Sequence, residues 1–467
     1  MLRVALSEVE GPTDSCLTAR AACGLSCDVR IAWFSPLPPI RSGIATVNAA
    51  LLERLDAGFS IDCFVDRRAY AAPPPRERRV FDAHDFVWKM RRAPYDLVVY
   101  QLGNAAWHDY MWAYLARYSG LVVLHDPRLH HARARQLLQQ GRADDYRAEF
   151  RYDHPDAVQD FVEYAVAGLG GAIYYSWSML RAVVRTARLV AVHNERVAAD
   201  LRQECPDARV EAICLGAPAP EAADGARDRI RASLGLGPDA ILFAAFGTVT
   251  AEKRIAAIVR ALGSLARGGI DAHLLVAGDA GGYPSLARDV SESGAATRVH
   301  VTGYVEDGAI GEYLAAADAC LCLRWPTALE TSASWLQCLA AGRPTVISDL
   351  AHLVDIPRDA ALRVDLVDED ASLAAAMRAL ATDPALRRGL GRAGRAYWLG
   401  HHTVDAMADD YRRIVPLAAR LAAPAVADLP AHFVDDYSGR ARSIAAAFGV
   451  SVDILREPSD GGASRHP

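Results

Sequence analysis

Two stretches in the second half of the chain bring charged and hydroxyl groups together where the polypeptide should turn. One runs from Phe246 through Gly247 and Thr248 to Glu252, Lys253 and Arg254, a glycine followed by a carboxylate and two cations. The other runs from Leu323 and Arg324 to Glu330, Thr331, Ser332 and Ser334. Each follows an apolar run that reads as a strand, so each leaves a strand end and leads into a helix N-terminus, where free amides favour an anion. A nucleoside diphosphate needs such parts: cations and amides for the pyrophosphate, and a carboxylate for ribose or sugar hydroxyls. Charge-assisted hydrogen bonds are worth roughly 1.5–3 kcal/mol each, so two or three account for about micromolar binding. Taken singly, Glu252 and Lys253 read better as a solvated helix face, and Thr331 and Ser332 as ordinary capping. Their joint placement at equivalent strand ends favours a ligand.

Two places in the first half add to this set. Ser35-Pro-Leu-Pro-Pro-Ile-Arg-Ser-Gly43 is a proline-stiffened loop in which Gly43 lets backbone approach a ligand at the mouth of the next helix. The plain alternative is a Pro-rich turn with a permissive glycine. Leu121-Val-Val-Leu-His125-Asp126-Pro-Arg-Leu-His130-His131 sets an imidazole at a strand end, where it can bond a sugar hydroxyl or assist proton transfer. These histidines and Asp126 also resemble metal ligands. His130 and His131 are adjacent, however, and diverge on a helix, so no metal is expected. Asp126, next to a proline, reads as a helix cap as well.

The elements that must position these residues follow from periodicity. Short apolar runs alternate with amphipathic stretches from about residue 29, the pattern of successive βα units. Strands are expected at Arg30–Ser35, Ile61–Val65, Leu97–Gln101, Leu121–His125, Leu189–His193 and Val210–Cys214, with a long helical region from about 145 to 186. Around Gly216 to Gly225 apolar periodicity is lost and Ala, Pro and Gly dominate, as in an interdomain linker. The pattern then restarts, with strands at Ile241–Phe246, His273–Ala277, Val299–Thr302, Ala319–Leu323 and Thr345–Ser348. The expected fold class is α/β: two Rossmann-like domains whose parallel sheets face a central cleft. The expected divisions are an extension over 1–28, a first domain over 29–216, a linker with its following helix over 217–237, and a second domain over 238–400. A helix over 401–424 would cross back to the first domain, followed by a tail over 425–467. The last residues of that tail should lack order, and the stretch from Phe433 to Leu455 could form a small amphipathic helix for a partner or a membrane edge.

Bulk properties fit this plan. A length of 467 residues suits two domains, and 52% hydrophobic residues is ample for two buried sheets. The net charge of -6 and the scattered basic residues argue against nucleic acid as a partner. Nine cysteines without a CxxC pair fit reduced thiols. Cys320 and Cys322, two apart in a strand, should share a face as small core residues, with metal binding as the alternative. Only two lysines occur, Lys89 and Lys253, so a lysine retained amid so many arginines points to a use for its compact ammonium. Glu8, Glu10 and Asp14 interrupt any apolar stretch of secretory length, and no later segment reaches spanning length. A cytoplasmic protein is expected, either free or attached peripherally at the inner face of the membrane.

Over about Arg30 to Val415 the chain resembles the retaining glycosyltransferases of the GT-B fold, family 4 (glycosyl transferases group 1). The resemblance is carried by Ser35 to Gly43, Tyr100 to Asn104, Val122 to Asp126, Phe246 to Arg254, Val301 to Val305, Leu323 to Thr327, Glu330 to Ser332 and Leu339 to Asp349. It implies sugar transfer from a UDP- or GDP-sugar, with no tightly bound cofactor, to a glycan, lipid-linked or small-molecule acceptor. Gly43 would approach the donor phosphate or the acceptor, His125 would touch the transferred sugar, and Lys253 would neutralise the diphosphate. Glu330 would hold the donor sugar, with the amides of Thr331 and Ser332 on the phosphate; Gly303, Tyr304 and Val305 would meet the nucleobase, and Gly247 would lie beside the donor. Two departures stand out: Thr248 where many relatives have arginine, and Gln337 where a second glutamate is expected, one residue short in spacing. Gln337 can still bond a ribose hydroxyl, and Arg254 or Arg324 can supply the missing charge. Beside an active enzyme, the departures leave open a non-catalytic protein binding a nucleotide sugar or a partner glycosyltransferase, and a sugar epimerase.

Overall fold

The computed structural model describes residues 29–55, 58–70, 78–171, 173–434 and 444–449. The extension over 1–28 and most of the 433–455 stretch lie outside the described residues.

Two parallel sheets form. The first has seven strands in the order β3-β2-β1-β4-β5-β6-β7: β1 Val29–Phe34, β2 Phe59–Val65, β3 Val80–Asp82, β4 Leu97–Leu102, β5 Leu121–Leu124, β6 Leu189–Val192 and β7 Val210–Ala212. The second has six in the order β10-β9-β8-β11-β12-β13: β8 Ile241–Phe246, β9 Ala272–Ala277, β10 Val299–Gly303, β11 Ala319–Cys322, β12 Thr345–Ser348 and β13 Leu362–Val364. Strands covered by helices on both faces must be apolar almost throughout, and β4, Leu-Val-Val-Tyr-Gln-Leu, is buried at every position. β3 and β13, absent from the sequence reading, are three-residue edge strands, too short to show a period. The helical region from 145 to 186 is broken into Ala143–Asp153, Asp160–Val166, Ile173–Ser176 and Arg181–Thr186. Pro155 ends the first piece, and Gly168 and Gly171 turn the chain at positive φ (84° and 35°) after the second.

The chain crosses between the two units twice. The outgoing crossing follows β7, and the return runs through His402 into the helix Val404–Arg420, capped by the Thr403 hydroxyl. That helix packs against Gly43–Leu55 and β4 of the first unit, with Tyr411 against Trp33 (ring centroids 5.5 Å). The crossings are bonded to each other: Ala217 N–H donates to the His402 carbonyl (3.0 Å), and His402 Nδ1 lies 2.9 Å from the Leu215 carbonyl. A Cβ at Gly216 would sit 2.5 Å from the Thr403 carbonyl, so only glycine fits there. Further on, Phe433 in the short helix Ala431–Val434 is buried against Trp112 of the first unit. No helix among the described residues is long and apolar enough to cross a membrane.

Candidate active site

In an open parallel sheet, ligands bind beyond the carboxyl ends of the strands, where the strand order reverses. Here the reversals fall between β1 and β4 in one sheet and between β8 and β11 in the other. The loop after β1 ends at Gly43; the loops after β8 and β11 are the two charged stretches read from the sequence. The fold thus brings those segments to its two natural binding points, and the points face each other. A Cβ added to Gly43 would have the Ala333 Cβ as its nearest neighbour, at 3.8 Å, so the N-termini of helices Gly43–Leu55 and Ala333–Ala340 almost touch.

Between them lies a cleft of about 1370 Å³, open to solvent. Its walls include Gly43, His125 and Asp126 from the first unit and Gly247, Thr248, Tyr304, Val305, Arg324, Glu330, Thr331, Ser332 and Gln337 from the second. A smaller space of about 50 Å³ adjoins it, lined by Lys253, Cys322, Arg324, Glu330, Thr331, Ser332 and His352 among others. The space beside Lys253 therefore shares six wall residues with the cleft: Phe246, Arg324, Glu330, Thr331, Ser332 and Ser334. Two of the residues that the resemblance sets at the donor line neither space. Gly303 ends β10 at φ 73°, just before Tyr304. Arg254, expected at the donor, pairs elsewhere instead: its Nε donates to Glu369 Oε1 (2.8 Å), so its charge is already neutralised.

The second unit's charges are preset. Gly247 holds φ 82°, and a Cβ there would lie 2.8 Å from Lys253 Nζ. The ammonium donates to the Phe246 carbonyl, and burial, followed by the Arg324 guanidinium, lowers its pKa to about 7. Arg324 Nε meets Glu330 Oε1 at 2.8 Å, and the Thr327 hydroxyl donates to Glu330 Oε2 (2.9 Å). The Ser332 side chain accepts from Trp335 N–H (3.3 Å), capping the helix while leaving its other first-turn amides for a ligand.

On the first unit's side, His125 and His193 are each the first residue beyond β5 and β6, whose register pairs Leu124 with Val192. Parallel pairing carries the next two side chains together, so His125 Nδ1 and His193 Nε2 lie 3.2 Å apart. His125 Nε2 is 2.7 Å from Gln101 Oε1, and Gln101 Nε2 donates to the Tyr411 hydroxyl (3.1 Å). Burial, then the neighbouring His193, pushes His125 well below the usual imidazole range, so the ring is neutral and both its nitrogens are engaged by protein. Asp126 does not cap a helix: its Oδ2 accepts from Asn104 N–H (2.7 Å). Burial, then Glu330 across the cleft, raises its carboxyl to about 6. The sequence reading missed Gln101, although a lone polar residue inside an otherwise apolar strand is a visible signal. No group of His, Cys, Asp or Glu among the described residues is arranged to hold a metal ion.

Polar contacts bridge the cleft's rim, among them Arg41 Nη2 to Glu306 Oε1 (3.2 Å) and Asn194 Nδ2 donating to the His352 carbonyl (2.6 Å). Thr46 donates to Asp307 Oδ2 (2.6 Å), Arg41 stacks on Tyr304 (3.9 Å to the ring centroid), Tyr175 donates to Glu252 Oε1 (2.8 Å), and Thr331 donates to the His193 carbonyl (3.1 Å).

Comparison with known proteins agrees with this geometry. Residues 239–383 match the family model described as glycosyl transferases group 1. No curated protein sequence matches the chain. Among solved structures, sucrose-phosphate synthase from Thermosynechococcus elongatus is similar over 83% of this chain and 98% of its own (TM-score 0.60, 18% identity). WaaG, a glycosyltransferase involved in lipopolysaccharide biosynthesis, is similar over 82% and 99% (TM-score 0.58, 14% identity). HepE of Anabaena, in complex with UDP and glucose, is similar over 83% and 99% (TM-score 0.56, 13% identity). Identities this low establish a shared fold. The chain thus has the two-domain GT-B architecture, and residues 239–383 of its second half are similar to the glycosyl transferases group 1 model.

Proposed function

We propose that the protein transfers a sugar from a nucleoside-diphosphate sugar to an acceptor hydroxyl with retention of anomeric configuration. The observation that carries this reading is the meeting of two helix N-termini, at Gly43 and Ala333, beside Lys253 and Arg324. Together they supply amides, an ammonium and a guanidinium to a departing diphosphate, the charge that develops most in such a reaction. Tyr304 and Val305 lie where the nucleobase would rest, Gln337 reaches the ribose, and Glu330, held by Arg324 and Thr327, receives the donor sugar's hydroxyls. His125 and Asp126 form the acceptor wall. Retention follows if the acceptor hydroxyl attacks from the face the diphosphate leaves and passes its proton to the leaving oxygen. The HepE complexes hold UDP and UDP-glucose, which makes uridine nucleotides the first donors to test.

The test is a transfer assay over a panel of UDP- and GDP-sugars with glycan, lipid-linked and small-molecule acceptors, the product anomer being read by NMR. Lys253→Ala and Glu330→Ala should abolish transfer while leaving the thermal melt intact. Full activity in both variants sinks the site; an inverted product sinks retention. One observation favours a second reading, a donor-binding protein without turnover: Thr248 and Gln337 both line the cleft where charged residues are expected. Calorimetric binding of a nucleotide sugar with neither transfer nor hydrolysis would decide for it.

A further inference from the structure

Three thiols meet behind the cleft. Cys320 and Cys322 extend from one face of β11, as their spacing predicts, and Cys338, from helix Ala333–Ala340, packs against both. Cys320 and Cys338 are wholly buried, whereas Cys322 is partly open and lines the small space beside the cleft that Lys253, Arg324 and Ser332 also line. Cys322 Sγ and Cys338 Sγ are 3.9 Å apart, and both sit near enough to Lys253 to act on its charge. Of the three thiols, Cys322 is therefore the one a reagent in that space can reach.

We propose that Cys322 is a site of thiol modification and that Cys322 and Cys338 close into a disulfide when the protein meets a low-molecular-weight disulfide. The Cys322 thiolate attacks one sulfur of the reagent, expelling one thiolate and leaving a mixed disulfide on Cys322. Cys338 then gives up its proton to solvent and attacks Cys322 Sγ, expelling the second thiolate. Two protein thiols are oxidised, one small disulfide is reduced to two thiols, and no other oxidant is needed. The order is set by access: contacts with Cys320 and Cys322, and then burial, push the Cys338 thiol well above its usual range, which suits it to the second step only. Closure draws the sulfurs from 3.9 Å to about 2.0 Å. That movement pulls on the helix whose first turn, from Ser332, forms one wall of the cleft, so the oxidised protein should bind a diphosphate more weakly. This last consequence rests on the function proposed above; the thiol chemistry does not.

The experiment incubates the full-length native protein with oxidised glutathione and maps every cysteine by mass spectrometry. The expected result is a Cys322–Cys338 disulfide in the unaltered protein, a persistent single glutathione on Cys322 in Cys338→Ser, and no modification at Cys338 in Cys322→Ser. An unmodified Cys322 overturns the proposal, as does a mixed disulfide equally persistent with and without Cys338. Millimolar UDP should slow Cys322 labelling at least threefold. A disulfide that forms at the same rate with UDP counts against the nucleotide site and leaves the dithiol standing.

Discussion

Lys253 offers the sharpest probe of the proposed diphosphate site, because its charge in the empty protein differs from its charge beside a phosphate. Burial and Arg324 bring its pKa from 10.5 to about 7, so at pH 8 roughly one-tenth of the molecules carry the ammonium. A diphosphate alongside restores the favourable charge, so binding at pH 8 should take up about 0.9 proton per nucleotide. Apparent affinity scales with the charged fraction, which falls from about one-half at pH 7 to about one-hundredth at pH 9, a weakening of roughly 50-fold. Above pH 7.5 the nucleotide's own terminal phosphate is already ionised, since its second pKa lies near 6, and adds nothing to the slope.

The assay is titration calorimetry of UDP in buffers of different ionisation enthalpy at pH 7.5, 8.0, 8.5 and 9.0. The dependence of observed heat on buffer enthalpy gives the proton count directly. Lys253→Met should bind more weakly throughout and show neither proton uptake nor the steep pH dependence. A proton count near zero at pH 8 in the unaltered protein, with affinity flat to pH 9, would refute the argument that this ammonium meets the phosphate.

Three further perturbations have expected outcomes. Gly247→Ala forces a side chain into a left-handed conformation, at about 1–2 kcal/mol, and drives its Cβ to 2.8 Å from Lys253 Nζ; a urea melt should show that loss, and calorimetry a loss of UDP binding. Asp126 has its folded pKa raised from 3.8 to about 6, so the native state holds its proton more tightly than the unfolded chain. Stability therefore falls as pH rises through that window, by about 3 kcal/mol in full above pH 6, and Asp126→Asn should recover most of it at pH 8 while leaving stability below pH 4 little changed. Tyr411→Phe removes the hydroxyl bonded to the fully buried Gln101 and should cost about 1 kcal/mol in a urea melt; its effect on transfer reports whether the Tyr411–Gln101–His125 chain orients the imidazole.

Legibility in the sequence tracked chain distance. The strand ends carrying Gly247, Glu330 and His125 were readable because a strand and its following loop are contiguous, and eleven of the strands announced themselves as apolar runs. β3 and β13 did not: three residues at a sheet edge leave no period, and β7, equally short, is legible only through the apolar Ile213 and Cys214 that follow it. Arg254 was placed with the ligand because adjacent cations look alike in sequence. Its left-handed backbone (φ 58°) aims it at Glu369, more than a hundred positions away, and nothing local encodes that pairing. The same holds for the neighbours of His125. Parallel register alone brings His193 to it across 68 positions, and Tyr411 reaches it through Gln101 only because the return helix crosses to the first unit. Asp126 read as a cap because Asp before Pro commonly is one; its actual partner, the Asn104 amide, lies on the adjacent strand's loop.

The two sides of the cleft are built differently, and the difference bears on how a donor enters. At the hinge, one apolar cluster runs from Leu51 and Leu215 through Met407 and Tyr411 to Trp335 and Trp398, so the units share a continuous core there, reinforced by the paired crossings at Ala217 and His402. At the rim, the bridging contacts are mainly polar, worth about 1 kcal/mol each against water. Breaking them therefore costs only a few kcal/mol, while parting the core costs far more. Were the units to open, rotation about the two crossings would move Gly43 and His125 away from Ala333 and Glu330 together. A donor resting on the second unit's loops would be met by the first unit's helix end only on closure, and the diphosphate charge would gain its second set of amides at the moment water is excluded.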